Sequence, residues 1–138
     1  KLPPFINLGK LGLNFGLQGM QFTATSTVAE NQTLSFPMYV HSIPNNNDNQ
    51  DIVSMGCNAA LMTRKVIDNG FDVLAIQTMA LAQAIDHLKC QPRLSSFAHN
   101  FYEQLRGMVG PIVNDEPRYK DIQSVRKYLV TLGSSIKL

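Results

Sequence analysis

The sequence predicts an all-α fold, a bundle of long helices followed by shorter C-terminal ones, on three observations. Between Gln50 and Asn69 the apolar residues Ile52, Met55, Ala59, Met62 and Val66 recur at intervals of three and four, the period of a helix. Phe71, Leu74, Ala75, Thr78, Leu81, Ala82, Ile85 and Leu88 carry the same stripe to about Lys89, and Pro92 stops it. Charged residues make up only 16% of the 138 residues, against about 25% in an average globular chain. With 44% hydrophobic residues, such helices have more apolar surface than one chain of this size covers, so other chains are expected against them.

The elements follow in order. Residues 1–12 carry Pro3, Pro4, Gly9 and Gly12 and read as loop, because proline lacks a donor and glycine tolerates left-handed backbone. A helix is expected from about Asn14 to Leu34. Met20, Ala24, Thr27, Val28 and Leu34 form its stripe, and Gly16, Gly19, Ala24 and Ser26 are small enough to let a neighbouring helix approach. Phe36 to Asn49, with Pro37, Pro44 and the cluster Asn45-Asn46-Asn47-Asp48-Asn49, is too polar to form a core of its own and reads as a long loop.

The next helix is expected from Gln50 to Asn69, ended by Gly70, with a second from Phe71. Asn69 and Gly70 join them either as an antiparallel hairpin or as one long rod bent at the glycine. Ser95 or Ser96 can cap a shorter helix through Phe97, Phe101, Leu105 and Met108 to Pro111. Asp115, before Pro117, can start another through Tyr119, Ile122, Val125 and Leu129 to Gly133. The chain thus divides into a long-helix segment, residues 1–90, and a C-terminal helical segment, 91–138.

Several function classes are disfavoured. A net charge of +2 and a pI near 8.6 come without a basic stripe, since Arg64, Lys65, Lys89, Arg93, Arg106, Arg126 and Lys127 are interspersed with acids. No nucleic acid is expected. No apolar run approaches the roughly 20 residues of a membrane span, and no secretory signal is visible, so no membrane partner and a cytoplasmic location are expected. Cys57 and Cys90 fall in two different predicted helices without metal-ligand spacing. They read as free buried thiols, and no metal is expected. His41, His87 and His99 form no cluster, and His87 reads as a helix-surface residue. Tyr102, Tyr119 and Tyr128 lie at helical spacing and read as core.

The run Asn49-Gln50-Asp51-Ile52-Val53-Ser54-Met55-Gly56 places side-chain amides and a carboxylate at the expected mouth of an apolar helix. Two readings stand. Such residues cap helices, accepting bonds from the orphan amides of the first turn. Alternatively, carboxamides offer donor and acceptor together, so Asn49 and Gln50 can grip a zwitterion's amine and carboxylate without adding charge. Delivery by a long loop, residues 36–50, favours contact with a substrate, and backbone amides at a helix start suit a carboxylate.

The order of motifs is more specific than any one of them. Gly12-Leu13-Asn14-Phe15-Gly16 comes first, then Ala29-Glu30-Asn31, Ser35-Phe36-Pro37, Val40-His41-Ser42-Ile43-Pro44, the Asn49 to Gly56 run, Ala59-Ala60 and Arg64-Lys65. In this order the chain resembles the C-terminal part of the ammonia-lyases and aminomutases that act on histidine, phenylalanine and tyrosine, over roughly residues 9 to 90. It departs from the family pattern at Ala29, where serine is usual, and at His41, where an acidic residue is common. Ile52 stands where histidine-specific members carry histidine, and Gln50 replaces their glutamate. Asn49-Gln50-Asp51 together with Asn46 looks like the tyrosine and phenylalanine type.

The resemblance implies elimination of ammonia from an amino-acid substrate, with Gln50 as a catalytic residue and Asn46, Asn49 and Gln50 binding substrate. It also implies a methylidene-imidazolone prosthetic group, which the family forms by cyclising an Ala-Ser-Gly run. This sequence contains no such run, so the group, the base tyrosine and the carboxylate-binding arginine are expected in a preceding part of the enzyme chain. A homotetramer is implied as well. An aminomutase of the same family is one alternative, and a non-catalytic helical oligomerisation module is another. An upstream Ala-Ser-Gly separates the enzyme from the module.

Overall fold

The computed structural model describes residues 1–41, 43–47, 49–50 and 53–135. Four helices account for its regular structure: α1 (Gln18–Leu34), α2 (Gly56–Leu88), α3 (Ser96–Met108) and α4 (Tyr119–Ser135), with single 3-10 turns at Pro4–Ile6, Met38–His41 and Gln91–Arg93. The all-α expectation holds. α2 is the spine: α1 and α4 pack along it, and α3 packs on both α2 and α4.

The first helix begins later than its pattern suggests, because the preceding residues are knitted into a loop. The Asn7 side-chain amide donates to the Asn14 carbonyl at 2.6 Å, while the Asn14 side chain accepts from the Lys10 backbone amide at 3.2 Å. Gly16 has φ +62, and a Cβ there would lie 2.8 Å from the Phe5 carbonyl oxygen. Only glycine meets both demands at low cost. The Gly12-x-Asn14-x-Gly16 motif is therefore a backbone device, and Asn14 belongs to the loop.

α2 runs unbroken for 33 residues, about 50 Å at 1.5 Å per residue. Of the two arrangements expected at Asn69 and Gly70 the single long rod is the one found, so the antiparallel hairpin and the helix end at Gly70 are corrected. An interior glycine costs only about 1 kcal/mol against alanine, and the tertiary contacts of the flanking turns outweigh it. Asn69 itself is 3% exposed. Its side-chain amide donates to the Glu30 carboxylate at 2.6 Å and to the side-chain oxygen of Asn31 at 2.8 Å. The helix ends as its pattern indicates: Lys89 turns left-handed at φ 50, and the Cys90 amide reaches back to the Ile85 carbonyl at 3.3 Å, satisfying carbonyls the helix leaves unpaired.

The core lies around the C-terminal half of α2. Ala75, Ile76, Met79 and Ala82 pack there with Leu17 and Met20 from the start of α1, with Tyr102, Leu105, Val109 and Ile112, and with Val125 and Leu129 from α4. Ala75 and Ala82 bring the neighbouring helices close. Gln83, wholly buried, closes the far end by donating to the carbonyls of Ile6 and Ile112, at 3.2 and 2.6 Å, and accepting from the Ile112 amide at 2.9 Å. Charged pairs fix the outer helices to the spine. Arg106 meets Asp86 at 2.5 Å, and Arg126 meets Asp68 and Asp72 at 2.6 and 3.1 Å.

Ser95 caps α3, accepting from the Ala98 amide at 3.3 Å. Asp115 does not cap α4. It accepts from the Phe15 amide at 2.9 Å, and the helix waits until Tyr119. Both cysteines are free as expected, but their burial in two different helices is corrected: Cys57 is exposed in the first turn of α2, and Cys90 is half-buried just past that helix's end. They sit at opposite ends of one helix, too far apart to be bridged. Tyr102 is buried with its hydroxyl donating to Asp86, and Tyr128 is partly buried, but Tyr119 is exposed. His87 is on the surface as expected.

Candidate functional site

The segment between α1 and α2 carries the predicted site residues, and it closes on itself before the helix starts. Asn45 and Gln50 form an antiparallel bridge, with the Asn45 amide donating to Gln50 at 3.0 Å and the Gln50 amide donating to Asn45 at 3.3 Å. Within it the Asn49 amide donates to the Asn46 carbonyl at 3.2 Å. Asn46 and Asn47 have φ 53 and 55, the left-handed region that asparagine tolerates better than other side-chain-bearing residues. The asparagine cluster thus makes the turn possible.

This corrects the expected helix start. α2 begins at Gly56, preceded by Met55 at φ 49, so Asn49 and Gln50 stand on a turn upstream of the helix and do not cap it. Asp51 and Ile52, and with them the start of the predicted stripe, lie outside the described residues, as do Ser42 and Asp48 of the loop. Asn46, Asn49 and Gln50 are brought together on one turn, all exposed. Their carboxamides are neutral groups able to donate and accept at once, suited to the ammonium and carboxylate ends of an amino acid.

A cavity of about 530 Å3 lies elsewhere, between the start of α1 and the start of α4, over Met20, Ile112 and Ile122. Among the described residues no group of three or more His, Cys, Asp and Glu could hold a metal ion, and no helix is long and apolar enough to cross a membrane. The residues that the sequence reading passed over are Asn69 and its partners. Glu30 and Asn31 were visible as a motif, but their bonds to Asn69, some forty positions away, carry no local signal.

An all-helical arrangement with one long spine and a carboxamide-bearing turn ahead of it defines the class, a helical bundle. The chain belongs to the aromatic amino acid lyase family, which residues 1–107 match. It is 40% identical over 124 residues to the MIO-dependent tyrosine 2,3-aminomutase of Streptomyces globisporus, covering 90% of this chain and 23% of that one. Against the histidine ammonia-lyase of Staphylococcus saprophyticus it is 39% identical over 132 residues, covering 96% and 26%. The crystal structure of the tyrosine aminomutase from Streptomyces globisporus superposes with a TM-score of 0.88 at 36% identity, covering 99% of this chain and 27% of that one. The chain therefore spans about a quarter of the length of the relatives it matches.

Proposed function

We propose that this chain is the C-terminal part of an aromatic amino-acid ammonia-lyase, eliminating ammonia from tyrosine, phenylalanine or histidine, and that it is inactive without the preceding part. The turn that gathers Asn46, Asn49 and Gln50 is the observation that carries this reading. Gln50 and Asn49 hydrogen-bond the substrate amine and the side of the prosthetic group, and Asn46 helps hold the substrate. Preorganised dipoles of this kind stabilise charge as it develops, without reorganising at the moment of reaction. Neutral carboxamides also leave the amine free to lose its proton.

The methylidene-imidazolone group supplies the electrophile that makes loss of ammonia feasible. The exposed, neutral carboxamides of Asn49 and Gln50 fit contact with such a group, and its formation from Ala-Ser-Gly belongs to another part of the protein. The similarity to the Streptomyces aminomutase supports a second reading, in which ammonia returns to the β carbon. Formation of a β-amino acid from tyrosine separates the two.

The chain further associates with copies of itself, in a homotetramer, through one face of α2. Ile67, Leu74, Leu81 and Leu88 recur every seven residues and are 54, 43, 57 and 50% exposed, with Gly70, Gln77 and Ala84 between them. A row of this kind supports packing of α2 against a helix of another copy.

Gln50→Glu in the complete enzyme tests the site. A carboxylate there replaces a donor with a charge, and kcat/KM for tyrosine is expected to fall by about tenfold or more, the effect of losing about 1.4 kcal/mol. Kinetics unchanged within about twofold would reject Gln50 as a substrate contact.

A further inference from the structure

We propose that Asn69 is a positioning residue, whose side chain ties the last turns of α1 to the middle of α2 and so sets the orientation of the turn that carries Asn49 and Gln50. The proposal rests on the reading of Gln50 as a substrate contact. Every described residue from Ile43 to Gln50 is exposed, so the turn gains little from packing, and its place is set by the chain on either side of it. One side leaves α1 just after Leu34 and touches α2 at the Met38–His41 turn, and the other joins α2 at Gly56.

Glu30 and Asn31 lie in the last turns of α1, and both are held by Asn69, at 2.6 and 2.8 Å. Asn31 in turn donates to the Val66 carbonyl at 3.4 Å, and the Lys65 ammonium lies 3.7 Å from the Glu30 carboxylate. One buried amide group thereby serves two acceptors on the neighbouring helix, and a third bond returns to the spine. Asparagine followed by glycine is a poor pair for a helix interior. A residue chosen for the stability of α2 alone would not be asparagine, so its use lies in the bonds across to α1.

The test is a double-mutant cycle in the complete enzyme, with Asn69→Ala and Gln50→Ala singly and together, by steady-state kinetics on L-tyrosine with L-histidine in parallel. Asn69→Ala alone is expected to lower kcat/KM by about tenfold, and by less than about twofold when Gln50 is already alanine, because residues acting through one another are not additive. An equal loss in both backgrounds, or no loss in either, overturns the proposal. Activity unchanged in Gln50→Ala alone would sink the substrate-contact reading, a different failure.

Amide exchange in the complete enzyme decides the clamp independently. The amides of Asn45 and Gln50, bonded to each other's carbonyls, are expected to exchange about tenfold faster in Asn69→Ala, with α3 and α4 unchanged. Uniform acceleration along the chain, or none at the turn, overturns the clamp.

Discussion

Leu81→Glu probes the proposed seam, and the expected magnitude comes from the exposures along α2. Full burial of a leucine or isoleucine side chain stabilises by about 1.5–3 kcal/mol. Ile67, Leu74, Leu81 and Leu88 are each close to half exposed in the single chain, so covering the remainder contributes about 1 kcal/mol apiece. Two such helices meeting gain roughly 8 kcal/mol, comparable with the roughly 4–15 kcal/mol that association costs. Exposed Phe22 and Val28 on α1 add to the gain, so a bundle of several helices is stable where a lone pair is marginal. A glutamate at 81 removes its share and buries an unpaired charge, several kcal/mol per contact. Association is expected to weaken by about a thousandfold or more.

Because Leu81 faces outward, the fold of the single chain changes by only about 0.5 kcal/mol. Sedimentation at roughly 50 µM is the assay, with circular dichroism as the check on folding. Self-association of the unmodified chain and a folded monomer for Leu81→Glu are expected. A homogeneous monomer of the unmodified chain, or an unfolded variant, refutes the reasoning.

Other outcomes follow from the same structure. The isolated chain should release no cinnamate, coumarate or urocanate, because positioning groups without an electrophile and base do not catalyse the elimination; absorbance of those products above background would contradict this. Gly16→Ala should lower the melting temperature by about 5 °C or more, since alanine at φ +62 is strained and its methyl meets the Phe5 carbonyl; an unchanged melting temperature would mean the loop relaxes freely. Ser95→Ala should cost about 1 kcal/mol, read by denaturant unfolding, and Ser95→Asp should restore most of it. No loss with alanine would show that the Ala98 amide finds another acceptor.

What the sequence determined by itself is the local chemistry. The three-four spacing from Phe71 to Leu88 required a helix, Pro92 ended it, and Ser95 or Ser96 offered a cap to the next, all within reach of neighbouring residues. Family membership was equally legible, because the ordered motifs from Gly12 to Gly56 are a one-dimensional signal. Tertiary structure decided the rest. Asn69-Gly70 reads as a stop, yet α2 passes through it, because Asn69 is held by Glu30 and Asn31 of another helix. Asn49 and Gln50 read as the mouth of a helix, yet they stand on a turn closed by the Asn45–Gln50 bridge. Asp115 reads as a cap, yet its carboxylate is committed to the Phe15 amide. In each case a polar side chain or backbone group had two possible partners, one nearby in sequence and one distant. Local propensities of about 1 kcal/mol are too small to choose between them, and the choice fell to bonds that exist only once the helices have packed.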